Sequence, residues 1–144
     1  MIRNAGNIVP AYTPEGHGGG EAGTIEYAVA VLGVRHIVVC GHSSCGAMKG
    51  LLHPESLTEL PLVASWVKQA EATRRSVASE PEDERLTRAI EHNAMQQLRN
   101  LRTHPSVAAK LAGGGLQLHA WIYDIASGEV RAFDESTGAY RALN

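Results

Sequence analysis

His36-Ile37-Val38-Val39-Cys40, running into Gly41-His42-Ser43-Ser44-Cys45-Gly46, is the stretch on which the reading of this chain turns. Its first half is a short apolar run rich in β-branched residues between Gly33 and Gly41. That composition predicts a fully buried strand of the parallel-sheet kind. The second half is a tight loop, and a short helix is predicted over Ala47 to Leu52. Upstream, Thr24 is placed to cap a helix whose apolar positions are Ile25, Ala28, Val29 and Leu32, and Gly33 suits the position just past its end. Helix, strand, tight loop and helix in succession predict an α/β fold, a parallel β-sheet core flanked by helices.

Tyr12 to Gly23, with Pro14 and Gly18-Gly19-Gly20, reads as a loop. Downstream, Leu62, Val63, Trp66, Val67 and Ala70 mark a second amphipathic helix opened by Pro61. Arg74 to Glu84 is charged, contains Pro81 and reads as a connection. Leu86, Ile90, Ala94, Leu98 and Leu101 mark a third helix, and Pro105 opens a short fourth that ends at Gly113-Gly114-Gly115. Leu116, Leu118, Ala120 and Ile122 alternate with Gln117, His119, Trp121 and Tyr123, the pattern of a strand with one apolar face. A last strand is predicted over Val130 to Phe133, between a turn at Gly128 and a turn over Asp134 to Gly138.

The 144 residues fit one domain, 1–144, and a hydrophobic fraction of 44% suffices for a core. Thirteen basic against 15 acidic residues give a formal charge of −2, which argues against a nucleic-acid partner. No run of 18 apolar residues is present to span a membrane, and Met1 to Gly6 has no apolar signal-peptide core. Two cysteines are too few for a disulfide scaffold. A soluble, cytoplasmic domain is the expectation.

The chemistry concentrates in His42 and Cys45, three residues apart on a turn at the carboxyl end of the predicted strand. In open α/β sheets ligands bind at that end. An imidazole nitrogen and a thiolate are both zinc ligands, and a short chelate sets their separation before the metal arrives. The pair alone is a weak signal, since one His and one Cys on a loop are more often unrelated. A tetrahedral site also needs further ligands. Two other readings of the segment fail. A nucleophile elbow needs Gly where Cys45 stands. A phosphate-binding loop needs Lys and Ser or Thr where Ala47 and Met48 stand.

Four motifs occur in order: Ile2-Arg3-Asn4-Ala5-Gly6-Asn7, Ile25-Glu26-Tyr27-Ala28-Val29, Gly41-His42-Ser43-Ser44-Cys45-Gly46 and His119-Ala120-Trp121-Ile122-Tyr123-Asp124. Together they resemble the β-class carbonic anhydrases of the plant-like bacterial type, over almost the whole chain. The resemblance implies a zinc lyase that hydrates CO₂ reversibly to bicarbonate and a proton. It implies that His42 and Cys45 bind Zn²⁺, that Tyr27 and Ala5 line the active-site pocket, and that the Gly46 N–H lies near the substrate. It also implies a homodimer or a larger homo-oligomer. Cys40 has no ligand counterpart and reads as a small buried hydrophobe. His17, His36, His53, His92 and His104 read as surface or packing residues, and His119 as hydrogen-bonded to backbone or water.

The family also carries an upstream C-x-D-S-R motif whose Cys is the third zinc ligand. Residues 1–144 do not contain it, since Cys40 and Cys45 are the only cysteines and Asp83, Asp124 and Asp134 the only aspartates. The resemblance therefore predicts an N-terminally truncated domain lacking one central strand and the N-terminal helices, and a chain that is catalytically incomplete as written. A start placed too late, a truncation, or a remnant with a new role as an oligomerising or inter-chain zinc-binding module would each account for this.

Overall fold

The computed structural model describes residues 1–15 and 19–143. The elements run α1 (Gly19–Ala30), β1 (His36–His42), α2 (Gly46–Leu52), α3 (Pro61–Val67), α4 (Glu71–Ser76), α5 (Glu82–Leu101), α6 (Pro105–Ala112), β2 (Gln117–Tyr123), β3 (Val130–Asp134) and β4 (Ala139–Ala142). Short 3₁₀ turns lie at Ala5–Asn7, Pro54–Leu57 and Lys68–Ala70. The four strands form one sheet in the order β1-β2-β3-β4, with β1 at an edge.

The α/β class holds, and the sheet is mixed. β1 and β2 are parallel, with His36 opposite Gln117 and His42 opposite Tyr123. They are joined by a long helical crossover, as parallel neighbours require. β2, β3 and β4 are antiparallel, because the turns between them are too short for a crossover. Gly128 and Gly138 close those turns with φ of +77° and +66°, where a side chain would be strained. β4 was not foreseen in the sequence. It is held by Tyr140, whose ring meets Phe133 edge-on at 5.4 Å and whose hydroxyl donates to the Glu91 carbonyl at 2.9 Å.

The expectation that β1 is buried on both faces is corrected. Val39 and Gly41 are buried, whereas His36, Val38 and Cys40 are exposed. Successive side chains point to opposite faces, and only the Val39–Gly41 face packs on α5. A Cβ at Gly41 would lie 3.2 Å from both Ile90 Cγ2 and Ile122 Cδ1. Cys40 is accordingly exposed rather than a buried hydrophobe. The core gathers on the α5 side around Val39, Met48, Ile90, Ala94, Leu98 and Ile122.

Two helix readings also change. α1 begins before Thr24, whose hydroxyl donates back to the Gly20 carbonyl at 2.7 Å instead of capping an N-terminus. This is the i−4 bond open to Thr within a helix. The helix end does follow the sequence, with Gly33 at φ +64° beyond it. The loop read over Tyr12 to Gly23 passes through residues 16–18, and these, with His17, lie outside the described residues. The charged connection read over Arg74 to Glu84 overlaps the end of helix α4, held by Glu71 paired with Arg74 and Arg75 one turn away and by buried Thr73, and its last residues already belong to α5.

A ladder of side chains on α5 and just beyond it positions the N-terminal segment. Asn93 Nδ2 donates to the Gly6 carbonyl at 2.8 Å, and Gln97 Oε1 accepts from the Val9 N–H at 2.9 Å. Asn100 Nδ2 donates to the Val9 carbonyl at 2.8 Å, and His104 Nε2 donates to the Pro10 carbonyl at 2.9 Å. Asn93, Gln97 and His104 are buried, so an extended segment with few backbone partners of its own is satisfied by side chains at helical spacing.

Candidate metal centre

His42 is the last residue of β1 and is half-buried. Its Nδ1 donates to the Ser43 carbonyl at 2.9 Å. A carbonyl only accepts, so the proton sits on Nδ1 and the Nε2 lone pair is left for a ligand, the arrangement typical of metal-binding histidines. The turn that follows is pinned to the end of β2. Ser43 N–H donates to the Tyr123 carbonyl at 2.9 Å, and Ser43 Oγ accepts from the Ile125 N–H at 2.9 Å. Ser44 takes the left-handed conformation, φ +57°, and delivers the chain into α2. Cys45 stands at the N-cap of that helix, only 3% exposed, and its side chain makes no capping hydrogen bond.

The two donors fit half of a zinc coordination set. Among the described residues, no group of three or more His, Cys, Asp or Glu side chains is placed to hold a metal ion. Cys40 lies on the same face of β1 as His42, but its Sγ contacts the Gly41 carbonyl at 3.4 Å. Partial desolvation of that sulfur pushes its pKa up, against the opposing effect of the Tyr123 backbone.

Ala5 is exposed, and its carbonyl accepts from Trp66 Nε1 at 2.8 Å. Tyr27 stands on α1 with 57% of its surface exposed. Gly46 opens α2 with free space where a Cβ would be, so no steric demand requires glycine there. A cleft of about 620 Å³ runs along the edge of β1, lined by Arg3, Asn7, Ile25, Val38, Cys40 and His42 among others. His42 reaches this cleft, while Tyr27, Ala5, Cys45 and Gly46 are not among its lining residues.

Asn7 was not singled out in the sequence. Its backbone is left-handed at φ 45°, and its Nδ2 is buried without a hydrogen-bond partner among the described residues. The only signal for it was its place in the Arg3-Asn4-Ala5-Gly6-Asn7 motif. The remaining histidines among the described residues have ordinary surroundings, with one exception. His119, expected to bond backbone or water, meets the ring of His36.

The sequence pattern of the carbonic anhydrase family matches residues 1–130. The chain belongs to that family. It is 49% identical to a carbonic anhydrase of Pseudomonas aeruginosa over 99% of this chain and 66% of that protein. It is 44% identical to carbonic anhydrase 1 of Escherichia coli O157:H7, over 99% and 65%. Among solved structures it superimposes on the β-carbonic anhydrase CcaA with a TM-score of 0.92 and 46% identity, covering 99% of this chain and 70% of that one. A structure described as a tetrameric β-carbonic anhydrase of Sordaria macrospora gives a TM-score of 0.77 at 30% identity, covering 98% and 68%. The β-class, bacterial-type assignment follows from these likenesses. The chain spans about two thirds of the length of the bacterial relatives named here.

Proposed function

We propose that this chain is part of a zinc-dependent carbonic anhydrase that hydrates CO₂ reversibly to bicarbonate and a proton, with His42 and Cys45 as two of its zinc ligands. The observation that carries the proposal is the junction of β1 and α2. One turn, bonded through both the N–H and the hydroxyl of Ser43 to the end of β2 and the residues just after it, carries an imidazole with a free Nε2 three residues before a buried thiol. Bound there, zinc supplies a Lewis acid that lets water react near neutral pH.

The chain's own residues do the rest. Ser43 holds the His42 tautomer, and burial keeps the Cys45 sulfur from bulk solvent. The Gly46 N–H orients a substrate oxygen by the logic of an oxyanion hole. Ala5 and Tyr27, which do not line the cleft that His42 reaches within residues 1–144, act as pocket wall only in the completed enzyme. The third zinc ligand comes from outside residues 1–144, so the chain by itself is catalytically incomplete. The working form is a homodimer or larger, in line with the tetrameric fungal neighbour. A cytoplasmic setting suits the two free cysteines, and no helix among the described residues is long and apolar enough to cross a membrane.

A second reading is favoured by the lack of a three-donor group among the described residues. His42 and Cys45 from two copies of the chain would close a tetrahedral zinc site, leaving no position for water and hence no activity.

Zinc per chain, measured on purified residues 1–144 with His42→Ala as control, separates these readings. A ratio near one, lost in the variant and accompanied by CO₂ hydration, shows the chain complete. A ratio near one half, lost in the variant and without hydration, supports the inter-chain site. A ratio near zero marks an incomplete enzyme, and hydration should then return only when the upstream part is restored. Normal hydration by a restored His42→Ala protein would overturn the ligand assignment.

A further inference from the structure

At the far end of β1 from His42, six residues away and therefore about 20 Å along the strand, His36 meets His119 of β2. Nδ1 of His36 lies 3.1 Å from Nε2 of His119, and the ring centroids are 5.3 Å apart at a tilt of 32°. The parallel register sets Gln117 opposite His36 and His119 opposite Val38. The two imidazoles are therefore diagonal neighbours on the open face of the sheet, His36 exposed and His119 half-buried. Neither takes part in the function proposed above.

We propose that His36 and His119 form a bidentate site for a borderline-soft divalent cation such as Zn²⁺ or Ni²⁺, with water in the remaining positions. Imidazole nitrogens suit these ions, whereas Mg²⁺ and Ca²⁺ take oxygen ligands. With metal–nitrogen distances of 2.0–2.1 Å, an N···N separation of 3.1 Å corresponds to an angle of about 98° at the metal, between the square and tetrahedral values. Binding replaces the direct contact between the two ring nitrogens, both lone pairs turning toward that point. Each ring then carries its single proton on its other nitrogen, so binding needs both imidazoles neutral and weakens as pH falls.

The backbone ladder between β1 and β2 already fixes the two Cα positions, so little ordering is left to the cation. Bound there, the ion would join the edge strand to its neighbour and stabilise the folded chain by mass action. The site stands apart from His42 and Cys45 and does not depend on their role.

The test is a calorimetric titration of residues 1–144 with Zn²⁺, and separately with Ni²⁺, at neutral pH. Wild type is compared with His36→Gln, His119→Gln and His42→Ala, each checked for folding by circular dichroism. His36→Gln and His119→Gln should each weaken one binding event by about tenfold or more, the size of effect a change around a metal site produces. His42→Ala should leave that event unchanged. Nitrogen-15 spectra of the wild-type imidazoles provide a readout that needs no variant. His36 Nδ1 and His119 Nε2 should shift on adding Zn²⁺. Unchanged ring nitrogens at saturating Zn²⁺, or unchanged affinity in a folded His36→Gln chain, would overturn the proposal. An event lost only in His42→Ala would belong to the other centre and count against this one.

Discussion

The side-chain amide of Asn93 donates to the carbonyl of Gly6 at 2.8 Å, joining the middle of α5 to a segment 87 positions earlier in the chain. Asn93 Oδ1 in turn accepts from Gln97 Nε2 at 2.8 Å. The segment so held carries Arg3 and Asn7 to the cleft that His42 lines. The two buried amides thus connect the fold to the candidate site.

Replacing Asn93 with Ala leaves the Gly6 carbonyl and the Gln97 amide without this partner in a buried setting. The expected loss is about 1–3 kcal/mol, the cost of an unsatisfied buried polar group. Urea unfolding should show a lower midpoint at an unchanged slope. A midpoint equal to that of wild type would show that the ladder does not stabilise the fold.

Gly6 and Gly33 both have positive φ, +80° and +64°, and should nevertheless respond differently to alanine. At Gly33 the new methyl meets nothing within 4 Å, so the cost is backbone strain alone, roughly 1–2 kcal/mol. At Gly6 the methyl also lies 3.1 Å from Met48 Cε and 3.2 Å from Ala47 Cβ. Crowding of this kind typically adds about 1–3 kcal/mol. Gly6→Ala should therefore be the more destabilising in thermal denaturation, and the reverse order would contradict the packing described.

Cys40 is exposed and Cys45 is 3% exposed. Iodoacetamide on the native chain should label Cys40 first, as followed by peptide mass spectrometry. Because desolvation raises the Cys40 pKa, labelling should accelerate into a more alkaline range than for a free thiol, near 8.5 by the usual reference. Cys40→Ser should not change the zinc content of a restored enzyme. Faster labelling of Cys45 would mean that the β1–α2 junction is open in solution.

Asp124 accepts from the backbone N–H and the hydroxyl of Ser127, at 2.8 and 2.9 Å. The backbone bond is the main cause of its lowered pKa. A carboxyl whose folded-state pKa is depressed adds stability above its unfolded value, about 3.9. It loses that stability as pH falls through the lower folded value. The stability gap between wild type and Asp124→Asn should therefore be constant near neutral pH and shrink below about pH 4. A gap that widens on acidification would reverse the assigned sign.

Much of the fold was legible because local rules act on local sequence. Pro61 and Pro105 open α3 and α6, as residues with a preset φ and no N–H to lose. The alternation over Leu116 to Tyr123 marks β2. α4 was hidden because Arg74 and Arg75 look like the start of a solvated linker until their one-turn pairing with Glu71 is seen. β4 was hidden because Tyr140 finds its place through Phe133 and Glu91. At the site, the type and spacing of His42 and Cys45 were readable, while the free Nε2 depended on a bond to Ser43 that no motif announces.

What the sequence by itself determined is family and fold class, and it supplied the proposed pair of metal donors. These follow from residue types at fixed short spacings, where the chain's own geometry limits how far apart the groups can lie. What only the tertiary structure decided is which face of β1 is covered, where the N-terminal segment rests, and that His36 meets His119. Each of these depends on the packing of α5 or on the register between β1 and β2. They bring together residues far apart in sequence, and no local pattern encodes that separation.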